Sequence, residues 1–374
     1  LGIATALSPQ IDLATEPRWM RIDGTFGENV KLTTDLARAY VDGFQTTPGS
    51  KTGWGPQSVN AMIKHWPGDG VTEKGRESHT FAGKYAVYPG KNFEEHLVPF
   101  LQGGLKLEGP THQSSAVMTS YSAAYSEDEA YGEVVGSGFS KWKITDLLRE
   151  KYGYDGVVCT DWFITGHIGT TDNLTYEKDG LYQPSLEMLF NNWGISWGLE
   201  YNISVVERFF KIIDAGADQF GGENSSVPVL AAYKFGVAAI GEEAMRRRFE
   251  HSAVRPLRNI FNPGLFENPY LDVAASEEIV GRKDFMQAGY DAQLASIVML
   301  KNKGNVIRKA DDEKLTVYIP MKHTPAIRGL NPANQQWYVK SPATIQPVVD
   351  IDSARRYYNV VTDTVTTASG AEPE

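Results

Sequence analysis

The sequence predicts an α/β chain built from parallel βαβ units, on two observations. Short apolar runs alternate with amphipathic stretches up to Phe261, in the order strand, polar loop, helix, strand. The polar, chemistry-bearing residues cluster just after the apolar runs, where a (β/α)8 barrel carries its active site. A doubly wound open sheet shows the same alternation, so the pattern alone leaves both arrangements open.

The elements follow in order. Ile3 to Leu7 reads as the first strand, and Leu36 to Phe44 as a helix with apolar residues at helical spacing. Ser58 to Ile63 is a second apolar run leading into Lys64-His65-Trp66-Pro67-Gly68. Asn92 to Gln102 is helical, Ser115 to Ser120 a strand, and Ser140 to Tyr152 a helix of mixed charge. Tyr154 to Thr160 is a strand that ends at Asp161. Val205 to Ala215 is a helix, Gln219-Phe220 begins a short strand, and Glu242 to Phe261 is a long Arg-rich helix. After Pro263 the texture changes. Asn262-Pro263-Gly264 and Glu267-Asn268-Pro269 are turn-rich. Phe285 to Leu300 reads as helix or strand, Lys314 to Pro320 as a strand opening a second domain, and Ala368 to Glu374 as a fraying tail. There is no internal repeat.

Composition narrows the function. The 374 residues are 41% hydrophobic, 11% aromatic and 22% charged, an ordinary globular mixture too long for one small core. One large α/β domain plus part of a second is expected. A formal net charge of −10 and a pI of about 5.3 argue against nucleic acid and anionic membrane, and fit a neutral small-molecule substrate. With Cys159 as the single cysteine, neither an intrachain disulfide nor a Cys-based metal site can form, and this thiol is expected to be a small buried hydrophobe. No run reaches the roughly 20 apolar residues of a membrane span. Leu1 follows no initiator Met, and no signal peptide is visible. The sequons at Asn173, Asn202 and Asn224 are read as chance.

Five places carry candidate chemistry: Pro17 to Arg21 with Gly24 to Glu28, Lys64 to Gly70, Val117 to Tyr121, Tyr154 to Trp162, and Leu300 to Asn305. Taken singly, each has a plain reading. Arg21 serves as a surface ion-pair partner, Lys64-His65 as a solvated strand end, and Tyr121 as a half-buried aromatic. Asp161 serves as a helix N-cap and Trp162 as core.

Together, in this order, the motifs resemble glycoside hydrolase family 3, the β-glucosidase group. Lys64 to Gly68 is similar to the family's Lys-His-Phe-Pro-Gly loop, with Trp66 in the aromatic slot. Thr160-Asp161-Trp162 matches its strand ending in Ser/Thr-Asp-Trp. Arg18 to Arg21 matches Arg-Trp-Gly-Arg with Met20 for Gly. Leu300 to Asn305 matches the Leu-Lys-Asn-Glu-Gly-Asn entry to the second domain with Lys303 for Glu. The likeness covers roughly residues 1–310.

The resemblance implies a (β/α)8 TIM-like barrel over 1–285, here lacking its first βα units. A linker over 286–312 and the start of an α/β sandwich domain over 313–374 would follow. It implies a retaining, exo-acting β-glucosidase with Asp161 as nucleophile, and Arg21, Lys64, His65, Tyr121 and Trp162 as sugar ligands. A retaining glycosidase needs its nucleophile and proton donor about 5–5.5 Å apart. The nucleophile must be ionised, a state that Arg21, Lys64 and His65 favour. Gly68 and Gly70 would let the loop backbone approach the ligand. No cofactor or metal is expected.

Two departures stand out. The family's aspartate that grips outer hydroxyls has no match here, and neither does its acid/base glutamate in the second domain. A missing segment or companion chain of the same enzyme is therefore expected to supply the glutamate, and a homodimer is compatible. The expected partner is a β-glucoside or oligosaccharide, with no nucleic acid and no membrane, and a periplasmic or secreted location is favoured over the cytoplasm. A β-N-acetylhexosaminidase-type relative is the alternative, because Arg76-Glu77-Ser78-His79 echoes that subgroup's proton-donating loop. There Asp69 replaces a second His and the spacing is longer. The third reading is a non-catalytic sugar-binding fragment.

Overall fold

The computed structural model of the chain describes residues 2–79, 83–127, 130–165, 198–199, 203–306, 314–331 and 336–363. The sequons at Asn173 and Asn202 and the tail from Ala368 lie outside the described residues. Two compact units are present, Leu1–Ser276 and Glu277–Glu374.

The first unit is built on a five-stranded sheet. Its strands are β1 (Thr5–Ala6), β2 (Asn60–Trp66), β4 (Ala116–Thr119), β6 (Val157–Trp162) and β7 (Gln219–Gly221), while β3 (Tyr85–Val87) and β5 (Ala123–Tyr125) pair with each other outside it. Every pairing is parallel, and the order β1-β2-β4-β6-β7 adds each new strand on the same side. A doubly wound sheet reverses direction at a switch point, whereas one-way winding belongs to a barrel. The ambiguity left by the pattern is thus resolved in favour of a barrel wall.

The two faces of this sheet are chemically distinct, because side chains alternate along a strand. On one face, Ala61, Ile63, Val117 and Val158 pack against helix residues such as Ala37, Val41, Leu97, Phe100, Ile144, Leu148 and Ile212. On the other, Met62, Ala116, Met118, Val157 and Cys159 pack only against one another and the edge of Trp162. That second face is the barrel interior. Asp161, two residues beyond Cys159, ends the interior row of β6.

The crossover helices begin and end where local chemistry allows. Helix α1 (Val30–Gln45) starts at Asn29, whose side chain accepts the Leu32 amide at 2.9 Å. Helix α2 (Phe93–Val98) runs into a π-type turn over Pro99–Gly104, and the Trp142–Lys151 helix, α3, is also π-type. Helix α4 (Val205–Ala215) has a full capping box between Ser204 and Glu207 and stops at Gly216, φ 108°. Helices α5 (Ser226–Ile240) and α6 (Glu242–Phe261) close the unit. Periodicity does not reveal α5, because it is apolar on nearly every side, although it buries only Pro228, Ala232 and Gly236 fully.

At the start of β7 the Asp218 carboxylate, fully buried, accepts from Arg149 (2.6 Å), Arg255 (3.0 Å), Ser252 (2.9 Å) and the Val158 amide (3.0 Å), with Arg248 at 3.4 Å. This knot ties α3, α6 and the N-terminal ends of two strands.

In the second unit, helix α8 (Lys283–Ser296) resolves the helix-or-strand ambiguity of that stretch. The expected strand near Lys314 forms as β8 (Thr316–Ile319) and pairs in parallel with Asn359–Thr362. Two antiparallel pairs accompany it, Met321–Thr324 with Thr344–Pro347 and Ile327–Asn331 with Gln336–Ser341. Among the described residues of this unit, Ile319 is the one buried large apolar side chain.

Removing the Asp218 carboxylate takes the shared anion from three half-buried guanidinium groups and leaves the Val158 amide and Ser252 hydroxyl without their acceptor. Asp218→Ala is expected to lower unfolding free energy by about 3–5 kcal/mol. Urea unfolding checks this, and a loss under about 1 kcal/mol would mean the knot is dispensable.

Candidate active site

The site forms where the sheet strands end. Lys64 and His65 close β2, Ser120 and Tyr121 follow β4, and Asp161 and Trp162 close β6. Gln10 bridges Lys64 in parallel and the Ile11 amide donates to the Lys64 carbonyl at 2.8 Å, so the segment after β1 runs on beside β2. That run delivers Asp12, fully buried, to the same end of the sheet.

Asp161 is 6% exposed. Its Oδ1 accepts the Trp162 amide at 2.7 Å, and its Oδ2 lies 3.5 Å from His65 Nε2. Arg21 Nη2 lies 3.3 Å from the same His65 nitrogen, and the guanidinium sits 5.9 Å from the centre of the Trp19 ring. Arg21 Nη1 is buried and has no hydrogen-bond partner among the described residues. Burial, together with the Arg21 charge, pushes the half-buried Lys64 ammonium below its ordinary value against the pull of Asp161 and Asp12. Burial and the Asp161 carboxylate push the Tyr121 phenol well up, and its hydroxyl donates to the Trp162 carbonyl. A neutral phenol, an imidazole and the Arg21 and Lys64 side chains therefore lie around the Asp161 carboxylate.

A second layer holds this one. Asp12 Oδ2 lies 2.9 Å from His65 Nδ1, and Oδ1 accepts the backbone amides of His65 (3.1 Å) and Asp69 (2.7 Å). Asp69 takes the hydroxyls of Ser78 (2.9 Å), Ser120 (2.8 Å) and Ser122. Burial and the nearby Glu77 push the Asp69 carboxyl up. Glu77 accepts from the Trp19 indole at 2.8 Å and bonds His79 Nδ1. The His79 ring lies 4.5 Å from that of Tyr121, centre to centre.

The structure brings Asp161, His65, Arg21, Lys64 and Tyr121 together. Trp162 sits beside them, half-buried against the interior cluster. A β-carbon at Gly221 would fall 2.8 Å from its ring, and one at Gly222 2.6 Å. Trp66, in the motif's aromatic slot, is core: its indole donates to the Lys143 carbonyl and its ring meets Phe100 edge-on. The glycine at position 70 has a different reason from the expected ligand approach. A β-carbon there would lie 2.1 Å from the Leu13 carbonyl oxygen, so the chain's own packing demands it. Sequence reasoning missed Asp12 and the serine cradle of Asp69. Asp12 follows Ser8-Pro9-Gln10-Ile11 and not an apolar run, so it lacks the strand-end signal that Asp161 carries.

Among the described residues no group of three or more His, Cys, Asp or Glu side chains is arranged to hold a metal ion. Chemically, the arrangement offers one anionic oxygen facing fixed donors, a geometry for nucleophilic attack on an electron-poor carbon whose neighbouring hydroxyls the donors grip.

Residues 1–180 match the family model described as the glycosyl hydrolase family 3 N-terminal domain. The chain is 40% identical over 305 residues to the periplasmic beta-glucosidase/beta-xylosidase of Dickeya chrysanthemi, covering 81% of this chain and 43% of that protein. It is 38% identical over 310 residues to beta-glucosidase C of Emericella nidulans, covering 82% and 44%. A solved beta-glucosidase from Listeria innocua, in complex with isofagomine, superposes with a TM-score of 0.62 at 21% identity, over 85% of this chain and 37% of that one. The chain thus spans less than half the length of the curated relatives it matches.

The Glu77 contacts predict a pH signature. Burial opposes its charge, yet His79, Arg21 and Trp19 hold the folded carboxyl at about 2, below its ordinary 4.5. Its stabilising contribution is therefore complete above pH 4.5 and fades as pH falls toward 2. The stability difference between wild type and Glu77→Gln, from urea unfolding at stepped pH, should shrink across that window. A difference independent of pH would overturn the ion-pair account.

Proposed function

The chain belongs to glycosyl hydrolase family 3, and on that premise we propose that it bears the nucleophile of a retaining, exo-acting β-glycosidase that removes terminal non-reducing β-D-glucosyl residues. Asp161 Oδ2 attacks the anomeric carbon, the bond to the leaving oxygen breaks, and that oxygen takes a proton from a carboxylic acid on the opposite face. Water then opens the glycosyl–aspartate ester, with the same acid acting as base. We assign the proton donor to a glutamate of the second domain, as the family resemblance implies, and to no residue described here.

The observation that carries this reading is the asymmetry of the Asp161 carboxylate. One oxygen is tied to the backbone, and the other faces His65 at 3.5 Å with Arg21 alongside. The donor left open at Arg21 Nη1 suits a sugar hydroxyl. Trp162 offers an aromatic face beside the nucleophile, and Lys64 a second hydroxyl donor. The name of the Dickeya relative supports a periplasmic or secreted location. Among the described residues no helix is long and apolar enough to cross a membrane.

A second reading has one observation behind it. The Glu77–His79 pair lies against Tyr121, as an imidazole proton donor with a carboxylate behind it would. It predicts faster turnover of an aryl N-acetylglucosaminide than of the glucoside, with that advantage lost in His79→Ala.

In the full-length protein, a slow 2-fluoro glucoside should add one sugar mass to the peptide containing Asp161, and Asp161→Ala should lower kcat at least about 10⁴-fold with its melting temperature kept. No adduct would reject the covalent role. Lys64→Ala and His65→Ala should each cost about 2–4 kcal/mol in kcat/KM, lowering kcat as well as raising KM. A change confined to thermal stability would remove them from the site.

A further inference from the structure

We propose that Asp12 is a positioning residue for this reaction: its carboxylate takes the Nδ1 proton of His65 and so presents Nε2 as an acceptor that holds the Arg21 guanidinium beside Asp161. The proposal rests on the reading of Asp161 as nucleophile.

A guanidinium has donors and no acceptor. For Arg21 Nη2, 3.3 Å from His65 Nε2, to form a hydrogen bond, that nitrogen must offer its lone pair. The ring proton then sits on Nδ1, and the group 2.9 Å away that accepts it is Asp12 Oδ2. The other Asp12 oxygen is anchored by two backbone amides, those of His65 and Asp69, which set the plane of the carboxylate. Asp12 is completely buried and His65 is 1% exposed, so bulk water does not compete for either bond. At 3.5 Å, with no proton on Nε2, His65 does not neutralise Asp161 by hydrogen bonding, and Oδ2 keeps its lone pairs for the anomeric carbon. An anion behind an imidazole also raises the basicity of the far nitrogen. With Nη2 committed to that lone pair, Nη1 is the Arg21 donor left to meet a sugar hydroxyl.

Asp12→Asn tests this in the full-length protein, because the amide oxygen can keep both backbone bonds while the amide nitrogen faces Nδ1. Its proton pushes the ring proton to Nε2, where it opposes the Arg21 donors. Histidine-selective 15N labelling, with His65→Gln to assign the signal, reads the tautomer directly. Wild type should show Nδ1–H and a bare Nε2, and Asp12→Asn the reverse. In the variant, kcat should fall about 10–100-fold, KM should move less than about threefold, and the melting temperature should stay close to wild type. The proposal is overturned by an Nε2–H or doubly protonated His65 in wild type. Unchanged kcat in a variant whose tautomer has switched overturns it too, as does a kcat loss that merely follows the loss of folded protein. The tautomer is measured without turnover. A wild type with the expected tautomer but no adduct on Asp161 therefore defeats the glycosidase reading, while an adduct with the wrong tautomer defeats this one.

Discussion

Three N–H groups converge on the Asp12 carboxylate, and the geometry of the site depends on that convergence. Two are backbone amides, of His65 at the end of β2 and of Asp69 just beyond it, and one comes from the His65 ring. Hydrogen bonds to an ionised group are worth about 1.5–3 kcal/mol each, and here they form away from water. Burial alone would raise the Asp12 carboxyl, but the His65 and Asp69 contacts outweigh it and hold the group below its ordinary value. A buried charge is tolerated only when it is paired and fully bonded. The same bonds that satisfy Asp12 therefore lock the stretch from His65 to Asp69 onto the segment that follows β1.

Around that lock, carboxylates are sorted by their neighbours. Asp69 faces three serine hydroxyls and its carboxyl is pushed up, whereas Glu77 faces an imidazole and a guanidinium and is pulled down to about 2. Asp161 faces His65 and Arg21 with Tyr121 held neutral beside it. Residue type is the same or nearly so at these positions, and environment assigns the task. The arginine knot at Asp218 does comparable work at the opposite end of the strands, so each end of the wall is pinned by its own buried charge.

Much of this was legible in the sequence. The helices Val205 to Ala215 and Glu242 to Phe261 have the limits expected, and the structure shows why: Ser204, Gly216 and Gly241 punctuate the chain locally. The loop after β2 and the end of β6 were legible as motifs, because glycine, proline and charge are concentrated there. The one-way winding was not, since strand order is a long-range property that alternation does not encode. Nor was the parallel pair of Tyr85–Val87 with Ala123–Tyr125, two short runs in separate loops. Asp12 escaped because its partners, His65 and Asp69, lie more than fifty residues away, and nothing in its neighbours announces them.

The interior face beneath Asp161 is rich in sulfur: Met62, Met118 and Cys159 form most of the cluster that lines it. Thioethers fill irregular space without demanding fixed geometry. Peroxide that reaches this layer converts methionine to a polar, chiral sulfoxide. Oxidative ageing would therefore act on the Asp161 carboxylate from below, through the packing of its support, while every polar contact above it stayed chemically intact.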